Sequence, residues 1–110
     1  MIIELLYFDG CPSWQRGIEN LKAALAAEGL AGEIRLIKID SDQDAVQEKF
    51  VGSPTFRING RDLWPEEGQT YSLACRVYTT EKGLRGFPSV EMLRERIKGL
   101  VAQGALPGPL

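Results

Sequence analysis

The stretch VGSPTFRINGRDLW, residues 51–64, holds two short β-favourable runs separated by Asn59-Gly60. Asn and Gly both accept the positive φ of a tight hairpin turn, so the pair predicts strand Thr55 to Ile58, a two-residue turn, and strand Arg61 to Trp64. That register pairs Ile58 with Arg61. It sets Phe56 and Ile58 on one face and Arg57 on the other, because side chains alternate along a strand. Just upstream, Gly52-Ser53-Pro54-Thr55 places a proline at the mouth of the first strand. The Ser53-Pro54 bond is expected to be cis, a geometry that leaves the preceding backbone open to pair with an extended peptide or thiol ligand.

Outward from the hairpin, helical and strand periods alternate. Residues 2–8 (IIELLYF) are short, apolar and β-favourable, as suits a strand covered on both faces. Trp14, Ile18, Leu21 and Leu25 then recur at spacings of one helix face, which Gly29 closes. Residues 33–39 (EIRLIKI) read as a second strand. Asp40-Ser41-Asp42 caps a short helix with Asp44 in its first turn and Ala45, Val46 and Phe50 facing inward. After the hairpin, residues 65–88 are broken by Pro65, Gly68, Gly83, Gly86 and Pro88, and only SLACRVYTT looks regular; the segment reads as an insertion, part strand and part loop. Trp64, Tyr71 and Tyr78 are large rings with polar tips, which predicts that it packs over the Cys11 end of the sheet. Ser89 caps a last helix whose apolar face is Val90, Leu93, Ile97, Leu100 and Val101, and residues 103–110 trail off.

Composition removes several classes of function. The chain has 110 residues, enough for one core but not two, so it reads as a single domain. Thirteen Lys and Arg against 15 Asp and Glu, with no block of one sign, disfavour nucleic acid as a partner. No apolar run approaches a membrane span and residues 1–8 lack a signal-peptide layout, which predicts a cytoplasmic protein and no membrane partner. Cys11 and Cys75 are the two cysteines, and in a chain without an export signal a structural disulfide is not the first expectation. Histidine is absent. Cys-His and Ser-His-Asp catalysis go with it, as does the commonest transition-metal ligand; no cofactor is implied.

The remaining chemistry centres on FDGCPSW, residues 8–14. A cysteine just before the first turn of a helix faces outward-pointing N–H groups, whose partial positive charge favours thiolate over thiol. Pro12 suits a helix start, since its fixed φ is already helical and its missing N–H would have been unpaired. Cys11 is therefore the candidate nucleophile, expected to be at least partly exposed beside Gly10. Ser53 and Pro54, with Trp14, are the candidate substrate groove.

The element order β-α-β-α-β-β-α, with a thiol and a proline loop about 43 residues apart, resembles the thioredoxin-like superfamily over nearly the whole chain. More narrowly, YFDGCPSW, GSPTFRINGRDLW and LACRVY in that order resemble a group of small bacterial thioredoxin-fold proteins. The resemblance implies a three-layer α/β sandwich with a mixed sheet, a nucleophile at Cys11, and a thiol or disulfide substrate or partner protein. It departs from thioredoxin proper at Cys11-Pro12-Ser13-Trp14, where Trp14 stands in place of the second cysteine of a C-x-x-C pair. Two-cysteine activity at that motif does not carry over.

Each residue also has a plainer reading. Cys11, as a free cysteine, otherwise simply fills core; Cys75 alternates in phase with Leu73 and Val77, as a core position would, and is otherwise a resolving or second thiol. Trp14 anchors the first helix inward; Pro54 is otherwise a trans turn proline; Glu66-Glu67 is solvated loop; Arg57, Arg61 and Arg76 either steer an anionic thiol or simply face solvent. Three functions stay open. They are thiol-disulfide exchange through Cys11, a non-catalytic binding module built on the proline loop, and soft-metal or organomercurial handling by Cys11 and Cys75 as paired thiolates. No metal site is assigned.

Overall fold

A computed structural model of the chain describes residues 2–30, 32–66 and 70–104. Strand β1 (Ile3–Tyr7) lies between β2 (Ile34–Lys38), to which it runs parallel, and β3 (Thr55–Ile58), to which it runs antiparallel. Strand β4 (Arg61–Asp62) completes a four-stranded mixed sheet in the order β2-β1-β3-β4. The hairpin forms as its turn residues dictate. Asn59 and Gly60 take φ of 53° and 80°, Ile58 pairs with Arg61, and Leu63 leaves the ladder after donating its N–H to Phe56 O at 2.9 Å.

Helix α1 (Trp14–Ala27) and helix α3 (Val90–Ala102) cover one face of the sheet. Ile3 and Leu5 from β1 and Phe56 and Ile58 from β3 meet Leu21, Ala24, Leu25, Leu93 and Ile97 in the main core. The other face carries helix α2 (Asp42–Glu48), whose Ala45 packs with Leu6, Ile39 and Phe50. Arg57, pointing to that second face, pairs with Glu4 at 3.1 Å and Glu48 at 3.0 Å. Helices on both sides explain why β1 is apolar almost throughout, since neither face of a central strand meets water.

The helix ends follow their caps. Ser41 accepts from Asp44 N–H and Ser89 from Met92 N–H, and Gly29 follows α1 at φ 68°, the left-handed position that glycine takes without strain. One inward assignment fails: Val46 is 59% exposed, while Ala45 and Phe50 are fully buried. A helix of two turns has room for one buried stripe, and Ala45 with the following Phe50 fills it. Beyond the sheet, β5 (Tyr78–Thr80) and β6 (Gly83–Arg85) form a separate two-stranded hairpin. Glu67 and residues 105–110 of the expected tail lie outside the described residues.

Candidate functional site

Cys11 follows β1 through a turn in which its N–H donates to Phe8 O at 3.1 Å. It precedes Ser13, the N-cap of α1. Ser13 makes no side-chain capping bond and the first turn of α1 holds no acidic residue, so nothing in that turn answers the positive end of the helix dipole. Trp14, the first helical residue, stacks on Tyr7 with ring centroids 4.2 Å apart. It is half-buried beside the main core, an anchor for the helix start.

Two expectations about Cys11 are corrected. It is 2% exposed, and it is bonded to Cys75 in a disulfide with the Cα atoms 5.8 Å apart. The cover comes from the insertion. The backbone of residues 74–76 lies along Ser53, whose N–H donates to Ala74 O at 2.8 Å and whose carbonyl accepts from Arg76 N–H at 3.0 Å. Cys75, held between those two hydrogen bonds, reaches Cys11. The expected alternation of the insertion is therefore reversed: Arg76 and Tyr78 are buried, whereas Cys75 is exposed and Val77 is 60% exposed.

The loop under this segment is built for close approach. The Ser53-Pro54 bond is cis and Gly52 takes φ 140°. A Cβ on Gly52 would fall 3.0 Å from Arg76 N and 3.1 Å from Arg76 Cα, so a side chain there would push the segment off. Ser53 Oγ accepts from Phe8 N–H at 3.1 Å, tying the loop to the end of β1. Tyr78 Oη donates to Pro54 O at 2.6 Å. Burial pushes the Tyr78 phenol well above its ordinary value, and Asp62 and Glu66 push the same way against the nearby Arg76 charge.

Arg76 is the buried ion of the site, 4% exposed. Its guanidinium donates to both Asp62 oxygens, at 3.2 and 3.0 Å, and to the Trp64 carbonyl. Glu66 lies 3.9 Å away and the Tyr78 ring 5.3 Å away. Burial raises the Asp62 carboxyl, and the Arg76 charge opposes that shift. Taking the pair out of water is costly, and three donated bonds offset that cost. A hydropathy pattern counts arginine as outward, so nothing local marks Arg76, Asp62 and Tyr78 as a cluster; only their meeting across the fold does. Arg57 is committed to Glu4 and Glu48, and Arg61 is exposed in β4.

The insertion also closes over the far side of the helix start. Phe87 sits under the Arg16 guanidinium at 5.9 Å, and a Cβ on Gly86 would touch Ser13. The described part of residues 65–88 thus packs at the Cys11 end of the sheet, as its aromatic content predicts. Among the described residues, no group of three or more His, Cys, Asp or Glu converges to hold a metal ion. No helix among them is long and apolar enough to cross a membrane. No family model matches the chain, and neither the curated proteins nor the solved structures yield a match.

Proposed function

We propose that this chain is a thioredoxin-like thiol-disulfide exchange protein whose redox pair is Cys11 and Cys75. The observation that carries the reading is the disulfide joining a cysteine at the start of α1 to one held on the Ser53-Pro54 loop. The sheet order β2-β1-β3-β4 with helices on both faces supports the same fold family. Cys75 takes the resolving role that Trp14 cannot fill.

The exchange balances as follows. In the dithiol form the Cys11 thiolate attacks one sulfur of a substrate disulfide; that bond breaks, and the departing sulfur leaves as a thiolate that takes a proton from solvent. The Cys75 thiolate then attacks the Cys11 sulfur, the Cys11–Cys75 bond forms, and the second substrate sulfur leaves. Two electrons pass to the substrate, and a dithiol or two monothiols return them to the protein. A static staple is the competing reading, favoured by the burial of Cys11.

Pre-reduced protein mixed with a peptide disulfide separates the two. Exchange predicts one substrate disulfide reduced per chain, no more than the slow reaction of an ordinary exposed thiol by Cys11→Ser, and a trapped mixed disulfide on Cys75→Ser, seen as a mass increase. If Cys75→Ser captures no substrate, the exchange reading fails and the bond is a staple.

A further inference from the structure

Residues 73–77 lie along a backbone edge of the site at Ser53. Ser53 has a single outward N–H and a single carbonyl at the cis-proline loop, and both are taken by this chain's own Ala74 and Arg76. Extended chains dock on such an edge through main-chain bonds of this kind. The occupant is a backbone segment bridged to Ser53 at its central cysteine, with that sulfur on Cys11, which is how a disulfide-bearing polypeptide would have to sit. We propose that residues 73–77 are a built-in blocker of a docking edge for the extended, disulfide-bearing segment of a partner protein, and that Arg76 is the latch holding the blocker down.

The holding contacts differ in kind. On the Leu73 side the segment is held by one exposed bond, Leu73 N–H to Asp42 Oδ1 at 3.0 Å, and by half-buried Tyr71 and Leu73 packed against the Leu6 and Phe50 cluster, while Val77 projects into solvent. Arg76 by contrast is sunk into Asp62 and the Trp64 carbonyl. Reduction cuts the covalent tether and leaves this latch in place. The reduced protein is then closed most of the time, and Cys11 reacts only in the fraction that is open. A partner segment that replaces the Ala74 and Arg76 bonds at Ser53 restores what opening removes. The proposal rests on the exchange reading for the identity of the partner, but the gate itself is measured without any exchange.

The test uses Cys75→Ser, in which Cys11 is the sole thiol, with Arg76→Gln or Asp62→Asn added to weaken the latch from either side. Labelling of Cys11 by a bulky maleimide is expected to rise about tenfold or more in the latch variants, since breaking one side of a buried ion pair is costly to the closed state. It should stay below the rate of the same chain in urea, with a cooperative melt retained. A synthetic peptide copying residues 71–79, with serine at the cysteine position, should slow that labelling again by refilling the edge. Unchanged or slower labelling in the folded variants overturns the latch. In the unsubstituted chain, reduction should speed amide exchange at Ser53 and Arg76 by a larger factor than at Ile39 and Leu63, which donate to Tyr7 O and Phe56 O of the sheet and follow only the global loss of stability; an equal change at all four also overturns it. Faster labelling without capture of a peptide disulfide would retain the gate and remove the exchange function, and capture at a rate indifferent to Arg76 would do the reverse.

Discussion

Reducing the Cys11–Cys75 bond should cost a large share of the protein's stability. The bond spans 64 positions, and on the chain-entropy account a loop of that length confines the unfolded chain by about 4 kcal/mol at 25 °C. For 110 residues, an unfolding entropy near 2 cal/mol/K per residue converts this to a fall in Tm of about 15–20 °C. The contacts that position Cys75 do not depend on the bond: Ser53 keeps its partners in Ala74 and Arg76, and Arg76 keeps Asp62. The reduced protein should therefore remain folded at room temperature. Thermal melts by circular dichroism, with and without a phosphine reductant and with two free thiols per chain confirmed by titration, measure the shift. Cys75→Ser should melt near the reduced wild type and ignore the reductant. A fully reduced wild type whose Tm falls by only about 3 °C would show that the bond does not restrict the unfolded chain as reasoned.

Three further outcomes follow from the same geometry. Gly52→Ala should destabilise by about 2 kcal/mol or more, since φ 140° strains any side chain and the added Cβ meets the Arg76 backbone; it should also slow re-formation of the disulfide after reduction, read by thiol titration against time. Because the folded protein holds the buried Tyr78 proton more tightly than the unfolded chain does, that contribution to stability is complete below the ordinary phenol value of about 10 and is lost as pH rises beyond it. Tyr78→Phe, with no phenol to ionise, should cost about 1 kcal/mol at neutral pH for the lost bond to Pro54 O and show a flatter alkaline limb in denaturant melts. Leu93→Ala should cost about 2–5 kcal/mol, because Leu93 is fully buried between α3 and the sheet; a loss under about 1 kcal/mol would mean that this core is looser than its burial indicates.

Much of the frame follows from local rules. Ser41 and Ser89 cap where a hydroxyl precedes an amphipathic run, Gly29 ends α1, and Asn59-Gly60 turns the hairpin in the register that buries Phe56 and Ile58. Each is set by residues within a few positions of one another, so the sequence by itself determined them. Cys11 at the start of α1 and Pro54 before β3 were legible for the same reason; the coming together of the two was an expectation of the thioredoxin-like resemblance, not of any local rule.

What covers that meeting point was decided only by the tertiary structure. An alternating pattern says which residues share a face, not which face is inward, and in residues 73–78 hydropathy chose Leu73, Cys75 and Val77. The fold chose Arg76 and Tyr78 instead, because Asp62, the Trp64 carbonyl and Pro54 O supply partners for exactly those polar tips. A buried arginine is affordable only where such partners converge, and they arrive from the hairpin 12 and 14 positions away. That single inversion turns Cys75 from a core residue into the partner of Cys11, and it hides a thiol that its own neighbours in sequence would have left in water.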